Sequence, residues 1–179
     1  MTYGFTFRGT HSSTVGIKLE RTRRVIKPAV RPIEYTIPGR DGTIRYEEDT
    51  FEKTVIIQPV TISRDSLAQM RAACRALARL VAGVGELIFD DEPDKVYTGA
   101  TVPDAPDFEE LAKFGRAIIT FEAQPFAESL TYNEVIDESE DLPFVQELTV
   151  TGTQATPPVL YITARAEIND LTIKRQIET

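Results

Sequence analysis

Phe114-Gly-Arg-Ala-Ile-Ile-Thr-Phe-Glu-Ala123 decides the fold, because it is the most continuous run of β-forming residues in the chain and Pro125 ends it. A core strand is predicted there. Toward the N-terminus, Lys95 to Val102 and Glu86 to Phe89 read as two further strands. The acidic turn Asp90-Asp91-Glu92-Pro93-Asp94 joins them, and Pro103 to Asp107 forms a loop. From about Ser66 to Ala82 the period changes. Leu67, Met70, Cys74, Leu77 and Val81 recur at steps of 3, 4, 3 and 4, one apolar face of a helix. Ser63 or Asp65 stands where an N-cap belongs, and Gly83 and Gly85 stop the helix. Arg71, Arg75 and Arg79 fall four apart on another face, either solvated or set against acidic groups of another subunit.

Further out, Thr54 to Ile62 reads as a strand whose Pro59 implies a sheet edge or a bulge. Ile33 to Ile37 and Thr43 to Tyr46 flank Pro38-Gly39-Arg40-Asp41-Gly42, which predicts a hairpin. Glu34, Arg40, Asp41, Arg45, Glu47 and Glu48 are many charges for so short an element. The hairpin is therefore expected to project and to find support on a neighbouring subunit through Ile33, Tyr35, Ile37, Ile44 and Tyr46, since an isolated hairpin is marginal in water. Pro28 and Pro32 make the preceding basic segment a linker or arm, and the alternation Phe5, Phe7 then Val15, Ile17, Leu19 predicts a β start. Beyond Pro125, Glu134, Asp137, Glu138, Glu140 and Asp141 crowd into a segment that solvates well and packs poorly. Three short strands follow, at about 146–151, 159–163 and 171–174. The expected organisation is mainly β with one helix: an antiparallel β-sandwich-like domain at 1–128, an acidic linker at 129–145 and a partial β-domain at 146–179.

Composition closes off several classes. With 179 residues, 41% hydrophobic and 27% charged, the chain reads as soluble and globular. No apolar run approaches the ~18 residues of a membrane span, and the N-terminus lacks the charged and apolar regions of a signal peptide, so synthesis in a cytosol is expected. One cysteine and one histidine exclude a disulfide scaffold and a zinc finger. Residues 1–32 hold seven Lys or Arg against Glu20, a charge of +6, which leaves −14 for the rest of a total of −8. Such a chain is a poor general binder of nucleic acid. Arg21, Arg23 and Arg24, with Lys27 and Arg31, are candidates for a solvated or subunit-facing surface. His11-Ser12-Ser13 sets a base beside hydroxyls but shows no orienting carboxylate, the acidic run 90–94 lacks calcium-loop spacing, Gly39 to Gly42 precedes no helix, and Cys74 falls on the apolar helical face. No catalytic, cofactor or metal site is expected.

Five stretches in one order carry a resemblance: Phe5-Thr-Phe-Arg-Gly9 with His11-Ser-Ser13 and Val15-Gly-Ile17, the hairpin Ile37 to Ile44, the helix, Leu87-Ile-Phe-Asp-Asp-Glu-Pro93, and Ile119-Thr-Phe-Glu-Ala-Gln-Pro-Phe126. Together they resemble the N-terminal domain of siphophage distal tail proteins, over about residues 1–128. Residues 146–163, with Gly152 and Pro157-Pro158, are similar to the first strands of the galectin-like C-terminal domain of many members, which has more strands than this chain can supply. The resemblance implies a structural protein of the virion tail tip, assembled in the host cytoplasm as a homo-oligomeric ring, usually a hexamer. Its implied partners are the tail tube protein and a tail-tip or receptor-binding protein. Two other classes are weighed. A carbohydrate-binding module recognising the host surface would need exposed aromatics, and beyond residue 128 only Tyr132, Phe144 and Tyr161 are available, while a cell-wall hydrolase would need paired carboxylates on a cleft.

Overall fold

The computed structural model describes residues 3–46, 50–104, 106, 108–111 and 114–131, with the single positions 152, 153, 159, 161 and 172. The chain divides into two compact units, Met1–Glu134 and Val135–Thr179. The strands expected at 146–179 and the acidic segment from 132 onward lie outside the described residues, those single positions apart.

In the first unit the strands are β1 (Phe5–Phe7), β2 (Thr10–His11), β3 (Ile17–Leu19), β4 (Arg23–Arg24), β5 (Ile33–Thr36), β6 (Thr43–Tyr46), β7 (Thr54–Ser63), β8 (Val84–Phe89), β9 (Lys95–Thr101), β10 (Phe108–Leu111), β11 (Phe114–Ala123) and β12 (Glu128–Ser129). One helix, α1 (Leu67–Leu80), lies between β7 and β8. Every pairing is antiparallel, in the order β2-β1-β8-β9-β11-β7-β3, with β10 on β11, β12 on β9 and β4 on β7. As expected, the fold is mainly β with a single helix, and Phe114–Ala123 is a core strand, paired along its whole length with β7.

The sandwich-like layering comes from one sheet curled on itself. In a flat sheet β1 and β11, three spacings apart in the order, would stand roughly 14 Å from each other. Yet the Phe5 and Phe7 rings lie 5.3 and 5.8 Å from that of Phe121. The two ends of the sheet order, β2 and β3, are also joined by only the 3-10 turn Ser12–Val15 and Gly16. Arg64 fastens that turn to the end of β7 by donating to the carbonyls of Val15, Gly16 and Ser63. Alternation along β7 and β11 sends Ile56, Val60, Ile62, Ala117, Ile119, Phe121 and Ala123 into the enclosed core.

Three local expectations are corrected. Pro59 is not at a sheet edge, since β7 has β11 on one side and β3 with β4 on the other. Its carbonyl accepts from the Glu20 N–H (2.9 Å), so its ring nitrogen faces the same side, where pairing lapses between β3 and β4. The missing donor therefore falls in an irregular gap, the bulge-like alternative. Buried Gln58 fills that gap: its amide donates to the carbonyls of Pro59 (2.8 Å) and Glu20 (3.3 Å), and its oxygen accepts from Thr22 (2.5 Å). In α1 the N-cap is Ser66, which accepts from the Gln69 N–H (3.3 Å), in place of Ser63 or Asp65. The buried face is Met70, Ala73, Leu77 and Leu80, followed by Val81, while Leu67 is 42% exposed and Cys74 only partly buried. A reading by side-chain size passes over Ala73, whose small side chain lets a helix approach a sheet closely.

Candidate assembly surfaces

β5 and β6 form their own two-stranded sheet, in the register Ile33↔Tyr46 to Thr36↔Thr43, and pair with no other described strand. The ladder continues below them through the bridge Val30↔Phe51 and the bonds Arg31 N–H to Thr50 (3.0 Å) and Glu52 N–H to Ala29 (2.7 Å). The result is an arm from Ala29 to Glu52. Phe51 roots it against Phe126, with ring centroids 4.9 Å apart. At its far end Gly39 and Gly42 hold φ of +81° and +85°, which a side chain resists, so the turn chemistry read from the sequence is used. Tyr35 (56%) and Ile37 (41%) are exposed, as are Arg40 and Asp41, while Ile44 is half-buried. Tyr46 closes the ladder opposite Ile33.

The basic cluster divides. Arg21 and Arg23 are exposed. Arg24 is not available in the same way: it donates to Asp91 (2.7 Å) and Glu92 (2.8 Å) in the β8–β9 turn and lies 4.4 Å over the Phe89 ring. Burial pulls its pKa down, but the hydrogen bond to Asp91 and that carboxylate's charge outweigh it and leave the guanidinium above its ordinary value. On α1, Arg71, Arg75 and Arg79 are all exposed on one side of the helix. No three carboxylate, histidine or cysteine side chains converge as a metal site among the described residues, and no described helix is long and apolar enough to cross a membrane.

Sequence reasoning passed over the partners of His11 and the role of Arg8. His11 Nδ1 is 2.6 Å from Ser13 Oγ and accepts from the Ser13 N–H (3.2 Å), while Nε2 lies 3.2 Å from both oxygens of Asp90. Asp90 also accepts from the Gly4 N–H (2.7 Å). The orienting carboxylate lies 79 residues away in the chain, beyond the reach of any local pattern. The trio sits on an open surface, and its bonds tie β1 and β2 to the β8–β9 turn. Arg8 is the one non-glycine residue with positive φ (+50°) among the described residues. It heads the Arg8-Gly9 turn between β1 and β2 and donates from Nη1 to the Ala82 carbonyl (2.7 Å) just past α1. A Cβ on Gly85 would lie 2.3 Å from Arg8 Cγ, so that glycine keeps the space clear. An Arg-Gly pair between two alternating segments was the available signal for the turn, though not for its docking.

The described residues thus form a curled sheet whose polar network braces its own turns, with an arm that pairs with no other described strand. The chain belongs to the phage tail protein RIFT-related domain family, which it matches over residues 11–123, and it is thus a component of a phage tail. Its fold is similar to that of a solved protein described as SPP1 Dit (gp 19.1), "a Paradigm of Hub Adsorption Apparatus in Gram-positive Infecting Phages", with a TM-score of 0.60 at 16% identity. That match covers 72% of this chain and 53% of the SPP1 protein, so the chain spans about half of its length. The resemblance to distal tail proteins is borne out at the level of family and fold. A search of curated proteins finds no match.

Proposed function

We propose that the chain is a ring-forming subunit at the distal end of a siphophage tail, hexameric as in the family it resembles, which joins the tail tube to the tail-tip or host-recognition apparatus and has no enzymatic role. The family match over 11–123 carries this reading. The arm supports it. Ring closure requires two different patches on each subunit that fit one another, and a charged hairpin with exposed Tyr35 and Ile37 is suited to be one of them. Arg40, Asp41, Ile44 and Tyr46 belong to the same patch, with Arg21 and Arg23 as a second basic contact. In this reading the helix arginines face the neighbour's carboxylates, the acidic segment at 129–145 is a linker, and 146–179 begins a galectin-like domain. Negative-stain imaging of the purified chain tests the reading. Rings with a central hole are expected, and a uniformly monomeric population at micromolar concentration would overturn it.

A further inference from the structure

A concavity of about 450 Å³ lies between the Arg8-Gly9 turn, the 3-10 turn and the last turns of α1. Its apolar lining includes Phe7 and Leu80, and its polar lining is Thr10, Thr14, Arg8 and Arg79. Both charges in it are positive, and no carboxylate lines it. Arg8 is fixed in place, because its positive φ, its bond to the Ala82 carbonyl and the cleared space at Gly83 and Gly85 hold one guanidinium N–H while leaving further donors uncommitted. Arg79 makes no ion pair with any described residue. Arg75, one helical turn away, extends the basic surface from the rim. Two guanidinium groups with hydroxyls between them suit a peptide that carries carboxylates. A net charge of −8 works against nucleic acid as the occupant.

We infer that this pocket receives an acidic segment from a second copy of the chain, an inference that rests on the self-assembly proposed above and names one contact within it. The segment that fits is Glu134-Val-Ile-Asp-Glu-Ser-Glu-Asp-Leu142, which holds five carboxylates within eight residues and sets Val135, Ile136 and Leu142 beside them. Charge complementarity makes the choice: the surface that offers uncompensated guanidinium groups belongs to a chain whose residues after 32 carry −14.

The test uses two differently tagged full-length chains in a Cys74→Ala background, one carrying Arg79→Cys and the other Glu138→Cys, mixed under mild oxidation. The disulfide-linked heterodimer should exceed by several-fold that formed when Lys18→Cys replaces Arg79→Cys, since Lys18 is exposed and lies outside the pocket. Arg75→Glu in the first chain and raised salt should both lower the yield. Equal yields from the two cysteine positions would overturn the inference. So would loss of the product with polyphosphate, added as a probe, but not with sodium chloride at the same ionic strength, because the pocket would then be a phosphate site. Rings seen without selective cross-linking leave the ring reading standing and refute the pocket. Selective cross-linking without rings does the reverse.

Discussion

Arg24 holds three partners at once, the carboxylates of Asp91 and Glu92 and the face of Phe89, and its side chain is only 22% exposed. Its truncation in Arg24→Ala should cost about 1–2 kcal/mol, a charge-assisted contact discounted for the partial exposure of both acids, and should show as a lowered melting temperature. Charge reversal there would weaken folding, so a variant at Arg24 cannot isolate an effect on the proposed assembly, whereas exposed Arg21 and Arg23 can be reversed without breaking such contacts. Tyr97, whose ring packs edge-to-face with that of Phe89 (6.2 Å between centroids), gives a pH signature. Burial raises its hydroxyl pKa, against a smaller opposing pull from Arg24. The folded state then keeps this proton to higher pH than the unfolded state, and the stability it contributes is present below about pH 10 and lost as pH rises above it. Among the six tyrosines the Tyr97 phenolate should form late in an absorbance titration, and Tyr97→Phe should remove that late component. Loss of an early component in the variant would contradict the assignment.

Helix α1 and the arm differ in what supports them. Leu77 faces the core at 6% exposure, whereas Leu67 begins the helix at 42%. Leu77→Asp should destabilise the domain by several kcal/mol, at least ~2, through an unpaired buried charge, and Leu67→Asp should stay within about 0.5 kcal/mol in chemical denaturation. Equal effects would misplace the packed face. Sequence periodicity located this helix within two residues at each end, because a 3.6-residue repeat is a local property. It set the face slightly wrong, because which residues meet the sheet depends on how closely the sheet allows the helix to approach. At Gly115 the ring of Phe108 lies where a Cβ would stand, 2.0 Å away, so Gly115→Ala must displace an aromatic ring. A loss of about 1–3 kcal/mol is expected in the same assay. Strand β10, which brings Phe108 there, has no legible pattern in its sequence and exists through its register with β11, Phe108↔Ala117 to Leu111↔Phe114.

In the ring proposed above, the arm from Ala29 to Glu52 should exchange its amide hydrogens more slowly than in dilute monomer, because a neighbour would cover strands that pair with no other described strand. Equal protection in both states would show that the arm needs no neighbour. Arg21→Glu with Arg23→Glu should shift light scattering toward monomer without lowering the melting temperature, and a fully assembled double variant would remove the basic segment from the interface. The amino-acid sequence by itself determined the class, mainly β with one helix, along with the core strand at 114–123, the hairpin at 33–46 and the acidic β8–β9 turn. Alternation, helical spacing and turn residues act within a few positions, so they can be read without a partner. Tertiary structure alone decided that one sheet curls until its two end strands are linked by five residues, that Pro59 sits at an interior gap filled by Gln58, and that Arg24 is a brace. It also decided that His11 meets Asp90 and that Arg8 docks on the end of α1. Each of these joins residues distant in sequence, and the energy that selects them, burial of a shared core and pairing of polar groups that the core would otherwise strand, exists only once the chain has closed on itself.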